Sequence, residues 1–291
     1  MSMLIGIDWG SSNVRSFLID KDGGILQNRS SPHGIIALQQ ADFLPNLQRL
    51  VEGWPSHLPI LLCGMIGSAH GWQETHYVTC PTAAQDLATE LVDISQRTLR
   101  SSWIVPGLRV RNKAGFMDLM RGEECQLFGA SQSGSVCLPG THSKWARLQD
   151  GTIQQFSTHM TGEVFAHLST HGLIAKTIKG TAFSTESFVA GVQQSTQPGG
   201  LLHHLFSARA RVLQADISAT ACHSYLSGLL IGTEIQNVEL SASISLIGSQ
   251  TLTQRYQLAL SILSTEVATS TISGQLACAK GLLRIWKAYH G

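Results

Sequence analysis

Asp8-Trp9-Gly10-Ser11-Ser12-Asn13-Val14-Arg15 is the stretch on which the reading of this chain turns. It follows one apolar run, Leu4 to Ile7, and leads into another, Val14 to Ile19, so it reads as the turn of a strand–turn–strand hairpin. A turn rich in glycine, serine and asparagine leaves backbone N–H groups pointing outward. With the short polar side chains of Ser11, Ser12 and Asn13 this makes a cradle for phosphate. Asp8, ending the first strand, is placed to hold a hydrated Mg²⁺ against such phosphates. Arg15 supplies a fixed planar cation for a phosphate or a carboxylate. Taken alone, the segment reads equally well as a plain hairpin turn.

The same grammar returns 130 residues later. Ser135-Val136-Cys137-Leu138 is an apolar strand, Pro139-Gly140-Thr141-His142-Ser143 a turn, and Lys144 to Leu148 a second strand. The offset aligns Gly10 with Gly140, Ser11 with Thr141, Leu18 with Leu148 and Asp20 with Asp150. This second cradle has hydroxyls and a lysine, but no acid at the position matching Asp8. Two opposed cradles need only one metal anchor. A third glycine turn, Gly248-Ser249-Gln250-Thr251, lies between a strand (Ser243 to Ile247) and a helix (Leu252 to Leu263). Such a turn admits close approach by a flat ring or a phosphate, although by itself it reads more simply as structural.

Between the hairpins, Pro59 to Cys63 and Trp103 to Val105 read as strands, and Met117 to Ala130 as a helix with Glu123 and Glu124 near its start. The helix dipole is expected to keep both carboxyls ionised, making them metal or hydroxyl orienters and weak proton abstractors. Ordinary helix-start glutamates are the plainer reading. Further on, Val164 to Leu168 and Ala219 to Gln236 read as helices and Gln193 to Gly200 as a loop, with His203-His204 at a solvated loop edge. Mixed strands and helices throughout mean an α/β fold.

With 291 residues the chain exceeds the usual single domain and favours two lobes. Hydrophobic residues make up 43% and charged ones 13%, enough for buried cores and too apolar for disorder. A net charge of +1 without a basic run excludes a nucleic-acid footprint. No positively charged region precedes an apolar stretch at the start, and no apolar run nears the roughly 20 residues that span a bilayer. The six cysteines (Cys63, Cys80, Cys125, Cys137, Cys222, Cys278) are scattered and fit free thiols in a reducing cytoplasm. The expected location is therefore cytoplasmic, with no membrane partner. Walker A, zincin, G-x-S-x-G and G-x-G-x-x-G signatures are absent from the sequence. His167 and His171 lie one helical turn apart but lack an evident third ligand. Trp72 and Trp145, beside glycine turns, line a ligand or pack in a core.

The three glycine turns, in this order, resemble the actin, Hsp70 and sugar-kinase superfamily. The strings DWGSSNVRSFL, GMIGSAHGW, MRGEECQLFGA, PGTHSKW, MTGE, SGLLIGTEI and LTQRYQLAL together resemble the 2-dehydro-3-deoxygalactonokinase family, from about residue 4 to about residue 285. The resemblance implies an actin-like ATPase (ribonuclease H-like) fold of two lobes, with a nucleotide cleft between them. The lobes are expected at 1–114 (first phosphate hairpin, sugar-acid binding) and 115–291 (second phosphate hairpin, adenosine turn). It implies ATP and Mg²⁺ as cofactors and phosphorylation of 2-dehydro-3-deoxy-D-galactonate at O6, a step in galactonate degradation. Asp8 becomes the Mg²⁺-linked acid. Gly10, Ser11, Ser12 and Asn13 become the first phosphate motif, Gly140, Thr141, His142 and Ser143 the second, and Gly248, Ser249, Gln250 and Thr251 the adenosine turn. Related carbohydrate kinases carry an aspartate after the glycine that starts this helix; here Gly122 is followed by Glu123 and Glu124, so Glu123 is the expected base and Glu124 the next candidate. Arg15, Arg121 and Lys144 are the expected carboxylate ligands, with Trp72 beside the substrate. A kinase of the same fold acting on another sugar or polyol, and a non-catalytic actin-like nucleotide switch, are the alternatives. A homodimer is the default assumption.

Overall fold

The computed structural model describes residues 2–112 and 115–291. Two compact units divide the chain: Met1–Val136 with Ala146–Ser157 and Ile272–Gly291, and Cys137–Trp145 with Thr158–Thr271. This differs from a cut in chain order at 114 and 115, because the last helix belongs with the first unit. Ala114 itself lies outside the described residues.

In the first unit the strands run β1 (Ser2–Trp9), β2 (Val14–Asp20), β3 (Ile25–Ser31), β4 (Ile60–Gly64), β5 (Tyr77–Thr79), β6 (Thr82–Ala83), β7 (Val92–Asp93), β8 (Ser102–Ile104), β9 (Gly107–Arg111) and β10 (Met117–Met120). Six of them form a sheet in the order β3-β2-β1-β4-β8-β7. β1 is antiparallel to β2 and parallel to β4, and β4 is parallel to β8. The central strands are apolar without alternation because both their faces are covered: Leu4, Ile5, Ile7 and Trp9 are fully buried, as is all of β4. In the adjoining core Trp9 meets Phe43 edge to face at a centroid separation of 5.5 Å, and Phe43 stacks on Trp72 at 5.8 Å.

The helix expected from Met117 begins only at Glu123. Met117–Met120 is a strand paired antiparallel with β9, and the helix covers Glu123–Ala130. Gly122, with φ +107°, separates the two, a backbone angle that α-helix cannot include. The helix is fixed at its far end by the closing helix Gly274–Tyr289. A Cβ on Gly129 would strike the carbonyl oxygen of Ala277, and one on Gly281 that of Cys125, so the two backbones touch where they cross.

The second hairpin is β11 (Gly134–Leu138) and β12 (Ser143–Gln149), hydrogen-bonded neighbours like β1 and β2. β13 (Thr152–His159) follows and pairs antiparallel with β6. In the second unit, β14 (Ser243–Gly248) and β15 (Ala268–Ser273) accompany the helices Thr161–Thr170, Thr185–Ser195, Gly200–Leu213, Cys222–Gln236 and Gln250–Leu263. Two expectations are corrected here. The loop expected over 193–200 is helical to Ser195, leaving 196–199 between helices. His203 and His204 lie on a helix, and His204 is buried with Nε2 3.1 Å from the Pro198 carbonyl. All six cysteines are buried free thiols. No helix among the described residues is long and apolar enough to cross a membrane.

Candidate active site

In the first unit, backbone geometry gathers three carboxylates. The parallel register sets Asp8 beside Cys63 and Trp9 beside Gly64. Gly64 has φ +90°, and a Cβ there would stand 2.7 Å from the Trp9 carbonyl oxygen and 3.3 Å from Asp8 Oδ1. Gly122 lies directly against it, since a Cβ on Gly122 would be 3.0 Å from the Gly64 Cα. The two bare backbones thus bring the start of the Glu123–Ala130 helix to the end of β1, beside Asp8.

Asp8 keeps 18% of its side chain exposed and has Arg15 Nη1 3.7 Å from Oδ2, its cross-strand neighbour. Burial pushes its pKa up to about 6; Arg15 draws it down and Glu123 pushes it up. Asp8 and Glu123 repel each other where Asp8 is mostly buried, so this pair gains from a nearby cation; Arg15, at 3.7 Å, supplies one, and a divalent ion could supply another. No cage of three or more His, Cys, Asp or Glu occurs among the described residues. Mg²⁺ suits such a donor set, because it keeps its waters and takes one or two carboxylates together with substrate phosphates.

Glu123 and Glu124 differ sharply. Glu124 is fully buried, and both its oxygens accept the Gly122 N–H, at 2.8 and 2.7 Å. Burial first, and then Glu123, raise its pKa to about 8, against the Gly122 hydrogen bonds and Arg121. The expectation that the helix dipole keeps both glutamates ionised is therefore corrected for Glu124, where desolvation outweighs it. Glu123 is only partly buried, and its Oε2 accepts the Arg121 N–H at 3.0 Å. It is the more exposed of the two glutamates.

Three expected substrate ligands face inward. Trp72 is 5% exposed and stacks on Phe43 with an interplanar angle of 16°. Arg121 is buried, bonds the Thr75 hydroxyl and carbonyl, and lies 4.3 Å from the Tyr77 ring centroid. Lys144, also buried, donates to the His142 carbonyl at 3.0 Å. Arg15, with 39% of its side chain exposed, is the outward-facing cation of the set. The first turn, Gly10 to Asn13, closes through Gly10 N–H onto the Asn13 carbonyl at 2.9 Å. Residues 33–36 brace it, with Ile35 N–H on the Gly10 carbonyl and the Trp9 indole on the His33 carbonyl.

In the second unit, Gly140 and Thr141 line a pocket of about 400 Å³ whose apolar wall is Phe165, Leu230, Ile231 and Leu252. Ser227, Arg255 and Tyr256 complete it, and Thr161 and Gly162 lie at the rim near the turn. The Gly248 turn reaches the same place: a Cβ on Gly248 would be 3.6 Å from the Pro139 carbonyl oxygen. Ser249, Gln250 and Thr251 are exposed at the start of the helix that carries Leu252, Arg255 and Tyr256. The second and third glycine turns are therefore brought together. Ser143 is fully buried, so Gly140, Thr141 and His142 are the outward-facing members of their turn.

Gly162, in the string MTGE, has a packing task. Its absent side chain lets the Thr161–Thr170 helix rest on the Gly140 carbonyl, Glu163 N–H bonds the Thr141 carbonyl at 3.0 Å, and the Glu163 carboxylate pairs with His142.

The model of the 2-keto-3-deoxy-galactonokinase family matches residues 8–285. The chain belongs to that family. It is a carbohydrate kinase with the actin-like ATPase fold. A probable 2-dehydro-3-deoxygalactonokinase, DgoK1, of Rhizobium meliloti (strain 1021) is 36% identical over 272 residues, covering 87% of each chain. The 2-dehydro-3-deoxygalactonokinase of Escherichia coli (strain K12) is 32% identical over 289 residues, covering 97% of this chain and 96% of its own. The crystal structure of a putative 2-dehydro-3-deoxygalactonokinase from Sinorhizobium meliloti superposes with a TM-score of 0.87 at 34% identity, covering 98% of this chain and 96% of that one.

Proposed function

We propose that this kinase transfers the γ-phosphoryl group of ATP to O6 of 2-dehydro-3-deoxy-D-galactonate, with Glu123 as the base and Asp8 as the Mg²⁺-linked acid. The observation that carries the reading is the pairing of a reachable Glu123 with a partly exposed Asp8, set side by side by Gly64 and Gly122.

The apolar pocket beside Gly140 and Gly248 suits a nucleobase, and the N–H and hydroxyl of the exposed Thr141 suit its phosphates. Gly10, Ser11, Ser12 and Asn13 offer a second set of donors. Mg²⁺, when bound, neutralises phosphate charge, and Asp8, aided by water, is the residue that would hold it. Glu123 accepts the O6 proton as the O6–phosphorus bond forms and the bond to the β-phosphate oxygen breaks, leaving ADP. A carboxylate is a modest base, which suffices because phosphoryl transfer depends mainly on positioning and charge neutralisation. Glu124, buried and held on Gly122 N–H, orients the turn that presents Glu123. Arg15 is the residue placed to meet the substrate carboxylate.

The test follows ADP release from MgATP across a panel of 2-keto-3-deoxy sugar acids, other sugars and polyols. Release dependent on the galactonate derivative is expected; release with a different sugar or polyol only would reassign the acceptor.

A further inference from the structure

Glu234 lies near the end of the buried helix Cys222–Gln236 and is 3% exposed. Its Oε1 accepts the Trp145 indole N–H at 2.7 Å, and its Oε2 accepts the Tyr256 hydroxyl at 2.8 Å. An indole can only donate, so the carboxylate must accept there. Tyr256 gives its single hydrogen to Glu234, which leaves the phenol oxygen as acceptor for the Ser143 hydroxyl, 2.9 Å away. The order of donation is thus fixed from Ser143 to Tyr256 to Glu234. Ser143 Oγ lies 3.5 Å from both the N–H and the carbonyl oxygen of Gly140, and with its hydrogen committed to Tyr256 it meets the N–H as an acceptor.

Two features connect this chain of bonds to the turn's task. The first glycine turn closes on its own backbone, Gly10 N–H to the Asn13 carbonyl, whereas the corresponding N–H of Gly140 faces the Ser143 side chain. Gly140, Thr141 and Tyr256 also line the same pocket. A buried carboxylate is weak evidence of stability, since an apolar group of the same shape often serves a core as well. Its position behind the turn gives it another use.

We propose that Glu234 is a positioning residue that, through Tyr256 and Ser143, sets the second phosphate turn and links its geometry to occupancy of the nucleotide pocket. The inference rests on that pocket being the nucleotide site. Glu234→Gln keeps the size and the Trp145 acceptor but sets an N–H₂ against the Tyr256 oxygen. The phenol must then donate to Ser143, which reverses the order of donation. Tyr256→Phe removes the middle link, and Ser143→Ala the last.

The experiment measures ADP affinity by calorimetry and steady-state kinetics for the whole chain and these variants, with thermal melts alongside. We expect the ADP Kd and the KM for ATP to rise about ten-fold in Glu234→Gln and Tyr256→Phe, the loss of one ordered hydrogen bond. The KM for the sugar acid is expected to stay within about two-fold, and Ser143→Ala combined with Tyr256→Phe to be no worse than the worse single variant. Variants that melt lower but keep the parental Kd and KM for nucleotide would overturn the proposal, as would losses that multiply in the double variant. If Tyr256→Phe fails to fold, Ser143→Ala and Glu234→Gln decide by the same criteria. A parent protein that binds no ADP would sink the reading of the pocket, which separates that failure from failure of the relay.

Discussion

Asp8 and Glu123 carry opposite demands. Asp8 must be an anion in a place that disfavours anions, and burial together with Glu123 raises its pKa to about 6. Asn at this position keeps the shape and removes the charge. Asp8→Asn is therefore expected to lower kcat/KM for MgATP by roughly 100-fold or more while the melting temperature stays within a few degrees. Parental turnover in that variant would refute the role of Asp8. Glu124 makes a separate prediction. Its folded pKa of about 8 lies above the ordinary glutamate value of 4.5, so the fold binds a proton that the unfolded chain releases. That contribution is full below pH 4.5 and is lost as pH rises toward about 8, at up to about 1.4 kcal/mol per pH unit. Melting temperature should fall across this window in the parent and less steeply in Glu124→Gln. Equal slopes would mean that Glu124 titrates normally.

At the scale of elements, placement of the carboxylates depends on bare backbone. Gly122→Ala would impose a side chain at φ +107° and 3.0 Å from the Gly64 Cα. We expect a cost of about 2 kcal/mol or more, together with loss of turnover beyond what the lower stability explains, measured by denaturant unfolding and kinetics at a temperature where the variant is folded. Full activity in a folded Gly122→Ala would show that Glu123 does not need this turn. Part of this arrangement was legible in the sequence. The two hairpins and the Gly248 turn stood out because turn chemistry is local: glycine, serine and asparagine between apolar runs. Met117–Met120 was not distinguishable from the helix after it, because four residues carry too little periodicity to separate strand from helix. Only the sign of φ at Gly122 parts them. Trp72 and Lys144 looked like ligands because aromatic and basic residues beside glycine turns have no visible partner in a sequence; Phe43 and the His142 carbonyl supply those partners in the fold. The Ser143–Tyr256 bond, 113 residues apart in the chain, left no local trace.

For the whole molecule, the acids and the exposed arginine lie in one unit and the apolar pocket with two glycine turns in the other. The compact division follows contacts and not chain order: the last helix returns to the first unit. Dependence on a divalent cation is the expectation for the small acidic donor set. Chelation with EDTA should abolish turnover and added Mg²⁺ restore it, with the fold unchanged by circular dichroism, because Mg²⁺ is held by one or two carboxylates and substrate phosphates and not by a structural cage. Activity that survives chelation would remove Asp8 from its assigned task. The most direct test of the account is acid-dependent ADP release from MgATP and 2-dehydro-3-deoxy-D-galactonate, compared between the parent chain and Glu123→Gln. The account predicts turnover in the parent and a loss of about 100-fold or more in the variant, with ADP affinity retained. No substrate-dependent ADP from the parent, or undiminished release from Glu123→Gln, would contradict it.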